Sequence, residues 1–283
     1  MTAFRATLII SVYKDTEALE AIVNALDPAE STDVEIIVSE DGESPQMQAY
    51  VRGLQARRPD VVHLTQEDRG FRKNRALNRA VVAARGDYLV FIDGDCVPHR
   101  HFIRSHLGCA ERHAVCAGRR VELGPLFSRL VRRTPRVMRL LQIPPIYWLL
   151  AIPMTVDHVK NYEAGFFSRW LHRLNRNKPG RILGCNFSCY RDELLAINGF
   201  NEDYVQPGIG EDSDIQWRLE RRGAHLKNIK FLAVQYHLHH PSRYRPSPDN
   251  QRIFRDTQQR DAIVCERGID QHLQVHTASS HSD

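Results

Sequence analysis

The sequence has 283 residues, of which 42% are hydrophobic and 26% charged, and its formal net charge is +5. This length allows one large domain with a sizeable core, and the composition excludes an intrinsically disordered, collagen-like or multi-span membrane protein. A surplus of five positive charges is too small by itself to indicate a nucleic-acid-binding protein.

The first hundred residues alternate between strand and helix patterns. Short apolar runs rich in β-branched residues predict strands at 7–12, 34–39, 61–65 and 88–92. Between them, apolar residues recur at helical spacing and predict helices at 19–26, 47–54 and 77–84. This order predicts an α/β fold with a doubly wound, mostly parallel sheet.

The carboxyl ends of these strands are where function is expected, because ligands of such sheets bind beyond the strand ends. The residues concerned are 13–15, 40–42, 66–70 and 93–96. Residues 11–16, the first turn after a strand, contain no glycine, which disfavours a nicotinamide dinucleotide site.

Residues 118–181 form a basic segment without this alternation. Thirteen Lys or Arg against three acidic residues give it a charge of +10, so the rest of the chain carries −5. Its uncharged stretch at 140–156 contains three prolines, whereas a bilayer span needs about 20 apolar residues in an unbroken helix, so no transmembrane helix is predicted. With Tyr147 and Trp148 beside basic residues, the segment is either a peripheral contact with an anionic membrane or a basic helical subdomain packed on the core.

Regular patterns return at residue 182. Apolar residues at 182–190 are followed by a short helix at 191–198 that ends at Gly199, a second helix at 214–222 that ends at Gly223, and an apolar strand at 231–234. Six cysteines without a Cys-x-x-Cys pair, and an N-terminus that leads directly into a strand, favour a reducing cytoplasm.

Two carboxylates, Asp93 and Asp95, follow the predicted strand at 88–92 with a glycine between them. The glycine lets the chain turn so that both side chains can face one ligand. A divalent cation that joins Asp95 to a diphosphate would turn their repulsion into attraction, because Mg²⁺ and Mn²⁺ take hard oxygen ligands. The alternative is a solvated turn that is acidic by chance.

A second acidic group, Glu211 and Asp212 with Asp214, begins a predicted helix after two glycines. Carboxylates at a helix N-terminus are often caps that are stabilised by the helix dipole, and this is the interpretation for Asp214.

The segment Tyr88-Leu-Val-Phe-Ile-Asp-Gly-Asp-Cys96, preceded by Lys73-Asn-Arg-Ala-Leu-Asn78, resembles the nucleotide-sugar half of the inverting glycosyltransferase family 2, which has the GT-A fold. The resemblance continues in Gly184-Cys-Asn186, Gly199-Phe-Asn-Glu202 and Gly208-Ile-Gly-Glu-Asp-Ser-Asp214, a half that is also similar to the C-terminal part of the β-1,4-galactosyltransferases. It covers about residues 7–98 and 182–240, with several motifs in order.

The resemblance implies a GT-A fold whose nucleotide half is Rossmann-like. Residues 1–117 are then the nucleotide-sugar-binding half, 118–181 a basic and partly helical insertion, 182–245 the acceptor and catalytic half, and 246–283 a C-terminal extension. The polar tail after about residue 270 is expected to fray.

The resemblance also implies a binding site for a UDP-sugar donor. The implied donor contacts are Tyr13, Glu40, Asp41, Lys73, Asp93 and Asn186. Tyr13 and Asp41, with Glu40 beside it, would meet the uracil and ribose, Lys73 the diphosphate and Asp93 the ribose. Taken alone, Lys73 would be a solvated lysine at a helix start, and Asp41 part of an ordinary Asp-Gly turn.

For the metal, the resemblance implies Asp95 together with a histidine from the end of the strand at 231–234. Three histidines lie there, and we favour His237, then His240, over His239. An imidazole ligand favours Mn²⁺ over Mg²⁺. A zinc site of Cys185, Cys189 and these histidines is the alternative, although its cysteine spacing fits structural zinc sites poorly.

For the reaction, the resemblance implies Asp212 as the general base and Glu211 as the residue that orients the acceptor or the base, and the two roles could be exchanged. Ile209 departs from the Gly-Trp-Gly of the galactosyltransferases, which leaves open whether a ring stacks on the sugar there.

These observations predict a metal-dependent inverting glycosyltransferase that moves a sugar from a UDP-sugar to a hydroxyl of a glycan or lipid-linked acceptor, as in bacterial surface polysaccharide biosynthesis. It is expected in the cytoplasm, with peripheral contact to the inner face of the cytoplasmic membrane, and without nucleic-acid partners. The alternative is a catalytically inactive module of the same fold that binds a nucleotide or a glycan.

Overall fold

The computed structural model of the chain describes residues 4–134, 137–208, 211–241 and 247–273. The strands in these ranges are β1 (Ala6–Val12), β2 (Val34–Glu40), β3 (Val61–Leu64), β4 (Tyr88–Asp93), β5 (Cys96–Pro98), β6 (Ala114–Ala117), β7 (Arg119–Glu122), β8 (Phe187–Tyr190), β9 (His225–Asn228) and β10 (Val234–His237). The α-helices are α1 (Thr16–Ala25), α2 (Pro45–Gln55), α3 (Lys73–Ala83), α4 (Phe102–Cys109), α5 (Pro125–Arg133), α6 (Val137–Leu141), α7 (Pro144–Leu149), α8 (Ala151–Val156), α9 (Arg169–Asn175), α10 (Arg191–Leu195), α11 (Glu211–Arg221) and α12 (Pro248–Gln259).

A seven-stranded sheet in the order β3-β2-β1-β4-β8-β6-β9 forms the centre of the molecule. Strands β1 to β4 are mutually parallel, β8 is antiparallel to both of its neighbours, and β6 and β9 are parallel. The predicted α/β fold with a mostly parallel sheet is therefore confirmed. The strand order reverses between β1 and β4, and their carboxyl ends, where Ser11 pairs with Asp93, are the place where such sheets bind ligands.

A second sheet, in the order β5-β10-β7, stands beyond the carboxyl end of β4. Strand β5 follows β4 after a two-residue turn and pairs antiparallel with β10, while β7 pairs parallel with β10. His237 lies opposite both Cys96 and Glu122 in this register. The second sheet thus brings the C-terminal histidines next to the acidic end of β4.

Two hydrophobic cores cover the two faces of the large sheet. Along β1, Leu8 and Ile10 belong to one core and Ile9 to the other, and all three are fully buried. In the second core the rings of Phe91 and Phe187 stack with centroids 4.4 Å apart across β4 and β8. Burial of each large apolar side chain contributes about 1.5–3 kcal/mol, so this alternation fixes the register of the strands.

The insertion predicted at 118–181 begins with β7 and continues with the short helices α5 to α9. No helix among the described residues is long and apolar enough to cross a membrane.

Two local predictions need correction. The strand expected at 231–234 lies at Val234–His237, because Phe231 adopts a positive φ of 70° and interrupts an extended chain there. Of the regular apolar segment predicted at 182–190, only Phe187–Tyr190 forms a strand. The fraying predicted for the tail after about residue 270 falls mostly outside the described residues, which end at 273; within them, His272 contacts Glu202 at 2.6 Å.

The capping role expected for Asp214 is wrong. Its side chain is 1% exposed and accepts from Arg218 Nε at 2.7 Å and from the Tyr204 hydroxyl at 3.3 Å. Arg218 is fully buried and also donates to the carbonyls of Ile197 and Gly199. A buried ion pair therefore fastens α11 to the chain that follows α10.

Replacing Arg218 by Ala should destabilise the protein by about 3–5 kcal/mol, because a buried carboxylate and two carbonyls lose their partner. Urea unfolding followed by circular dichroism measures this loss. The neighbouring Arg222 is exposed, and Arg222→Ala should change the free energy of unfolding by less than about 0.5 kcal/mol. Equal midpoints for the two variants would contradict a stabilising role of the buried pair.

Candidate active site

The turn after β4 is built on Gly94. Its backbone N–H donates to the carbonyl of Ser11 at 2.6 Å, and a Cβ atom at this position would lie 2.8 Å from that same oxygen. Only glycine therefore fits against the end of β1. The turn directs Asp93 and Asp95 to different partners.

Asp95 lies in a cluster with two histidines. Its Oδ2 is 3.4 Å from His237 Nε2 and 3.2 Å from His240 Nε2, and the two rings lie edge to face at 62° with centroids 5.0 Å apart. Burial raises the pKa of Asp95, but the hydrogen bonds from the two imidazoles outweigh it and hold the pKa well below its ordinary value. The carboxylate therefore stays charged.

This cluster fits a divalent cation. One carboxylate and two imidazoles converge, and Asp95, Cys96 and His237 offer ligand atoms within 4.8 Å of one another. The Cys96 thiol is engaged locally, since it donates to Asp95 Oδ1 at 3.4 Å, and burial raises its pKa well above its ordinary value. The Asp95 oxygen and the two imidazole nitrogens form a donor set that a divalent transition metal can accept.

His239 lies apart from the cluster. Its side chain is exposed, and its backbone N–H donates to Ser128 Oγ at 2.7 Å. The zinc site considered from Cys185 and Cys189 is not formed, because these residues belong to the two different cores.

Lys73 joins Asp93 to Glu211. The ammonium, at the first residue of α3, is 2.9 Å from Asp93 Oδ1 and 3.5 Å from Glu211 Oε1, and its side chain is only 15% exposed. Burial lowers the pKa of Lys73, but Asp93, Glu211 and Asp212 together raise it well above its ordinary value. The alternative interpretation of Lys73 as a solvated lysine at a helix start is therefore wrong, and the end of β4 and the start of α11 converge on this cation.

Glu211 and Asp212 are the two carboxylates on the α11 side. Burial is the largest cause that raises the pKa of Glu211, to about 7, and the nearby Asp212 and Asp93 add to it against the opposing effect of Lys73. Glu211 Oε2 is buried without a hydrogen-bond partner. This oxygen can accept a hydrogen bond from a bound hydroxyl group.

The Asp212 carboxylate contacts the backbone of Gly184. Burial raises its pKa, while Lys73 and a hydrogen bond from the Gly184 N–H lower it. A Cβ atom at Gly184 would lie 2.3 Å from Asp212 Oδ1, so a side chain there would displace the carboxylate. The glycine in the Gly184-Cys-Asn186 motif thus makes room for Asp212.

Tyr13, Glu40 and Asp41 lie at the ends of β1 and β2. Tyr13 is 41% exposed, and its hydroxyl is 3.3 Å from Asp68. Both oxygens of Glu40 are bonded within the protein, one to the N–H of Ser44 and one to His63. Asp41 likewise accepts from the side chain of Gln66 and from the backbone N–H of Arg72, each at 2.7 Å.

Asn186 is not brought to the surface of the site. It is fully buried, donates to the carbonyls of Arg119 and Ala233, and accepts from His106. Its polar atoms thus tie β7, α4 and the approach to β10 together.

Arg120 is a site residue that the sequence did not indicate. It lies on β7 in register with Gln235, and its guanidinium is 3.5 Å from Cys185 Sγ and 3.6 Å from Glu122. Its charge lowers the pKa of Asp212. It became visible only through the pairing of β7 with β10, which joins segments more than 100 residues apart.

Two family models and one curated relative match the chain. The family model of glycosyl transferase family 2 matches residues 7–178, and that of the N-terminal domain of galactosyltransferase matches residues 168–241. Chondroitin synthase of Escherichia coli is 22% identical over 224 residues, which are 75% of this chain and 31% of the synthase. The chain therefore spans about a third of that relative.

Two solved structures are similar in fold. A mannosyltransferase from Pyrobaculum calidifontis, in complex with GDP-Man and Mn²⁺, matches with a TM-score of 0.53 at 18% identity, over 83% of this chain and 56% of its own. GalNAc-T7, with UDP, GalNAc and Mn²⁺, matches with a TM-score of 0.59 at 11% identity, over 90% of this chain and 48% of its own. The GT-A fold is thereby confirmed.

The cluster at Asp95 leads to a prediction about metal binding. Asp95→Asn and His237→Ala should each weaken Mn²⁺ binding by at least about 10–100-fold, since even residues behind a metal ligand contribute that much. Electron paramagnetic resonance of free Mn²⁺, with and without UDP, measures the affinity. His239→Ala is the matched control and should bind as the wild type does; a loss as large as that of His237→Ala would contradict the assignment.

Proposed function

The chain belongs to glycosyl transferase family 2 and is a glycosyltransferase, and we propose that it moves a sugar from a UDP-sugar to a hydroxyl group of a glycan or glycolipid with inversion at the anomeric carbon. The observation that supports this most is the convergence of two groups around Lys73. One is the acidic end of β4 with its neighbouring histidines, and the other is the carboxylate pair at the start of α11. A donor diphosphate and an acceptor hydroxyl need such groups on opposite sides of the anomeric carbon.

Asp95, His237 and His240 would hold the divalent cation on the donor side. The two structural neighbours that contain Mn²⁺ support this choice of metal over Mg²⁺. When bound, such a cation neutralises charge on the diphosphate of a donor. The carboxylates of the site outnumber its cations, Lys73 and Arg120, so an anionic donor needs this additional positive charge.

Asp212 would act as the general base. The acceptor hydroxyl gives its proton to the Asp212 carboxylate while its oxygen forms the new bond to the anomeric carbon. The bond from that carbon to the diphosphate breaks, and its electron pair leaves with UDP. Because attack and departure occur on opposite faces, the configuration inverts and no covalent enzyme intermediate forms.

Glu211 and Lys73 would position these groups. The unpartnered Oε2 of Glu211 accepts a hydrogen bond from the acceptor sugar, and Lys73 keeps Glu211 and Asp93 at a fixed separation. Lys73 also lends positive charge to the departing diphosphate.

For the nucleotide we propose Tyr13 and Asp93 as the contacts of uracil and ribose, with Asp41 acting behind them, because its two oxygens are already bonded to Gln66 and to the backbone of Arg72. Tyr13 supports this role by its exposed ring at the end of β1. Glu40 would act indirectly by holding the chain at Ser44 and His63, and Asn186 is left out because its side chain is buried and fully bonded.

We assign the acceptor to the growing glycans or lipid-linked glycans of surface polysaccharide synthesis, with chondroitin synthase as the supporting relative. All six cysteines are free, which supports a reducing compartment such as the cytoplasm, with the enzyme held peripherally at the inner membrane face.

Asp212→Asn should lower kcat by about 10²–10⁴-fold, because the proton of the acceptor loses its base, while UDP and Mn²⁺ binding stay unchanged. Release of UDP from a panel of UDP-sugars, with glycan acceptors and Mn²⁺, measures the rate. Glu220→Gln, an exposed substitution on the same helix, should retain full activity. Binding of UDP without release from any donor in the wild type would instead support the inactive binding module.

The pH dependence of kcat/KM should report the protonation of Glu211. Its pKa of about 7 means that the carboxylate pair holds a proton below neutral pH, so kcat/KM should fall as the pH drops through about 7. Glu211→Gln removes this group and its repulsion on Asp212, which should move the acidic limb of the profile to lower pH. A limb that stays near pH 7 in Glu211→Gln would show that another group controls it.

A further inference from the structure

Helices α5 to α8 carry an unusual number of exposed apolar side chains. They are Leu126, Leu130, Leu140, Ile143, Trp148, Leu149, Ile152 and Val156, and Leu149, Ile152 and Val156 are 75–80% exposed. Within 143–156 every exposed side chain is apolar except that of Thr155. We call the exposed side of α5–α8 the apolar face.

The helices of the apolar face are firmly anchored from behind. Phe127, Tyr147 and Met154 are buried in the core. The Asp157 carboxylate, just after α8, accepts from the backbone N–H groups of Leu126 and Phe127 at 2.8 and 2.9 Å, so the end of α8 meets the start of α5. The exposed side chains therefore belong to one assembled unit of the fold.

The exposed charges of the segment that contains the apolar face are almost all positive. Among the described residues from 125 to 181, the exposed basic side chains are Arg129, Arg133, Arg139, Lys160, Arg169, Arg173, Arg176, Lys178 and Arg181. The one exposed acidic side chain in the same part of the chain, Glu163, is paired with Lys230 at 3.2 Å. Arg132, by contrast, is bound to Asp15 by two hydrogen bonds of 2.7 Å and is not available to a partner.

A cavity of about 470 Å³ opens at the edge of the apolar face, between the end of α1 and helices α6 and α7. Arg100 and Arg139 contribute cationic groups to its lining, Met138 and Ile143 contribute apolar ones, and Asp27 contributes a carboxylate. Its size is that of a small-molecule site, and its mixture of guanidinium and aliphatic groups suits a phosphate headgroup with its first acyl carbons.

We propose that the apolar face docks on an anionic phospholipid bilayer. Aliphatic and Trp side chains enter the interface between headgroups and acyl chains, and the exposed Arg129, Arg133 and Arg139 of α5 and α6 meet anionic headgroups. A second copy of the chain fits less well, because a twofold contact through this face would bring arginines against arginines. The interface does not depend on the transfer reaction.

The docked face would also orient the candidate active site. On α5, Ser128 accepts the backbone N–H of His239, the residue before His240 in the chain, and Arg132 binds Asp15, two residues after Tyr13. The bilayer surface is thereby linked through one helix to both the proposed metal site and the proposed nucleotide site. Resting on the proposed function, this favours an acceptor that is carried on a lipid.

Vesicle binding tests the docking surface without any sugar donor. The wild type should sediment with vesicles of phosphatidylcholine and phosphatidylglycerol, and much less with phosphatidylcholine alone or at high salt. The double variant Leu149→Ser, Ile152→Ser should bind at least about tenfold more weakly, and so should Arg129→Glu with Arg133→Glu. Val264→Ser is the control, because this side chain is 56% exposed on another part of the surface.

Three measurements decide whether the apolar face binds a bilayer: vesicle sedimentation, light scattering and UDP release. Unchanged sedimentation of the apolar variant, or equal binding to both vesicle types, overturns the proposal. Light scattering that shows a wild-type dimer, which the apolar variant converts to a monomer, together with no vesicle binding, assigns the face to a second copy instead. The apolar variant should still release UDP with a soluble acceptor. Such activity would show that the variant is folded. It would also separate a failure of membrane docking from a failure of the proposed transfer reaction.

Discussion

A single buried cation organises this molecule around its candidate active site. Lys73 stands between the carboxylate at the end of β4 and that at the start of α11, which is 138 residues away along the chain. The two carboxylates lie 2.9 and 3.5 Å from the same ammonium and would repel each other without it. The ammonium, fixed at the first turn of α3, therefore determines how the two halves of the chain meet.

The topology explains why the remaining groups reach the same place. The change of strand order between β1 and β4 opens the sheet at their carboxyl ends, and the turn at Gly94 directs the chain into the second sheet. Through β10 that sheet delivers His237 and His240 to Asp95, and through β7 it delivers Arg120. The helical insertion is attached to the same region through Ser128 and Arg132, so its exposed apolar side has a fixed orientation relative to the carboxylates.

The features that the sequence could predict are those encoded within short segments. The alternation of apolar runs and helical spacing indicated β1 to β4 and α1 to α3, because burial on both faces of a parallel sheet imposes these patterns locally. The acidic turn at Asp93 and Asp95 was recognisable for the same reason, together with its family resemblance. The short strands β5, β6, β7 and β9 were missed, since three or four residues carry too little periodicity.

Contacts between distant segments were beyond such patterns. Asp214 resembles a helix cap in the sequence, yet its partner Arg218 is buried only because the chain after α10 packs over both. Asn186 belongs to a recognisable motif, but its complete burial depends on β7, α4 and β10 together.

The central claim, that Asp95 and Asp212 face one bound donor from opposite sides, is tested most directly by anomalous diffraction from crystals grown with UDP and Mn²⁺. The account predicts one strong Mn²⁺ peak between Asp95, His237 and the diphosphate, with Asp212 across the site from the diphosphate; a peak away from Asp95, or an Asp212 that opens into a separate cleft, would contradict it.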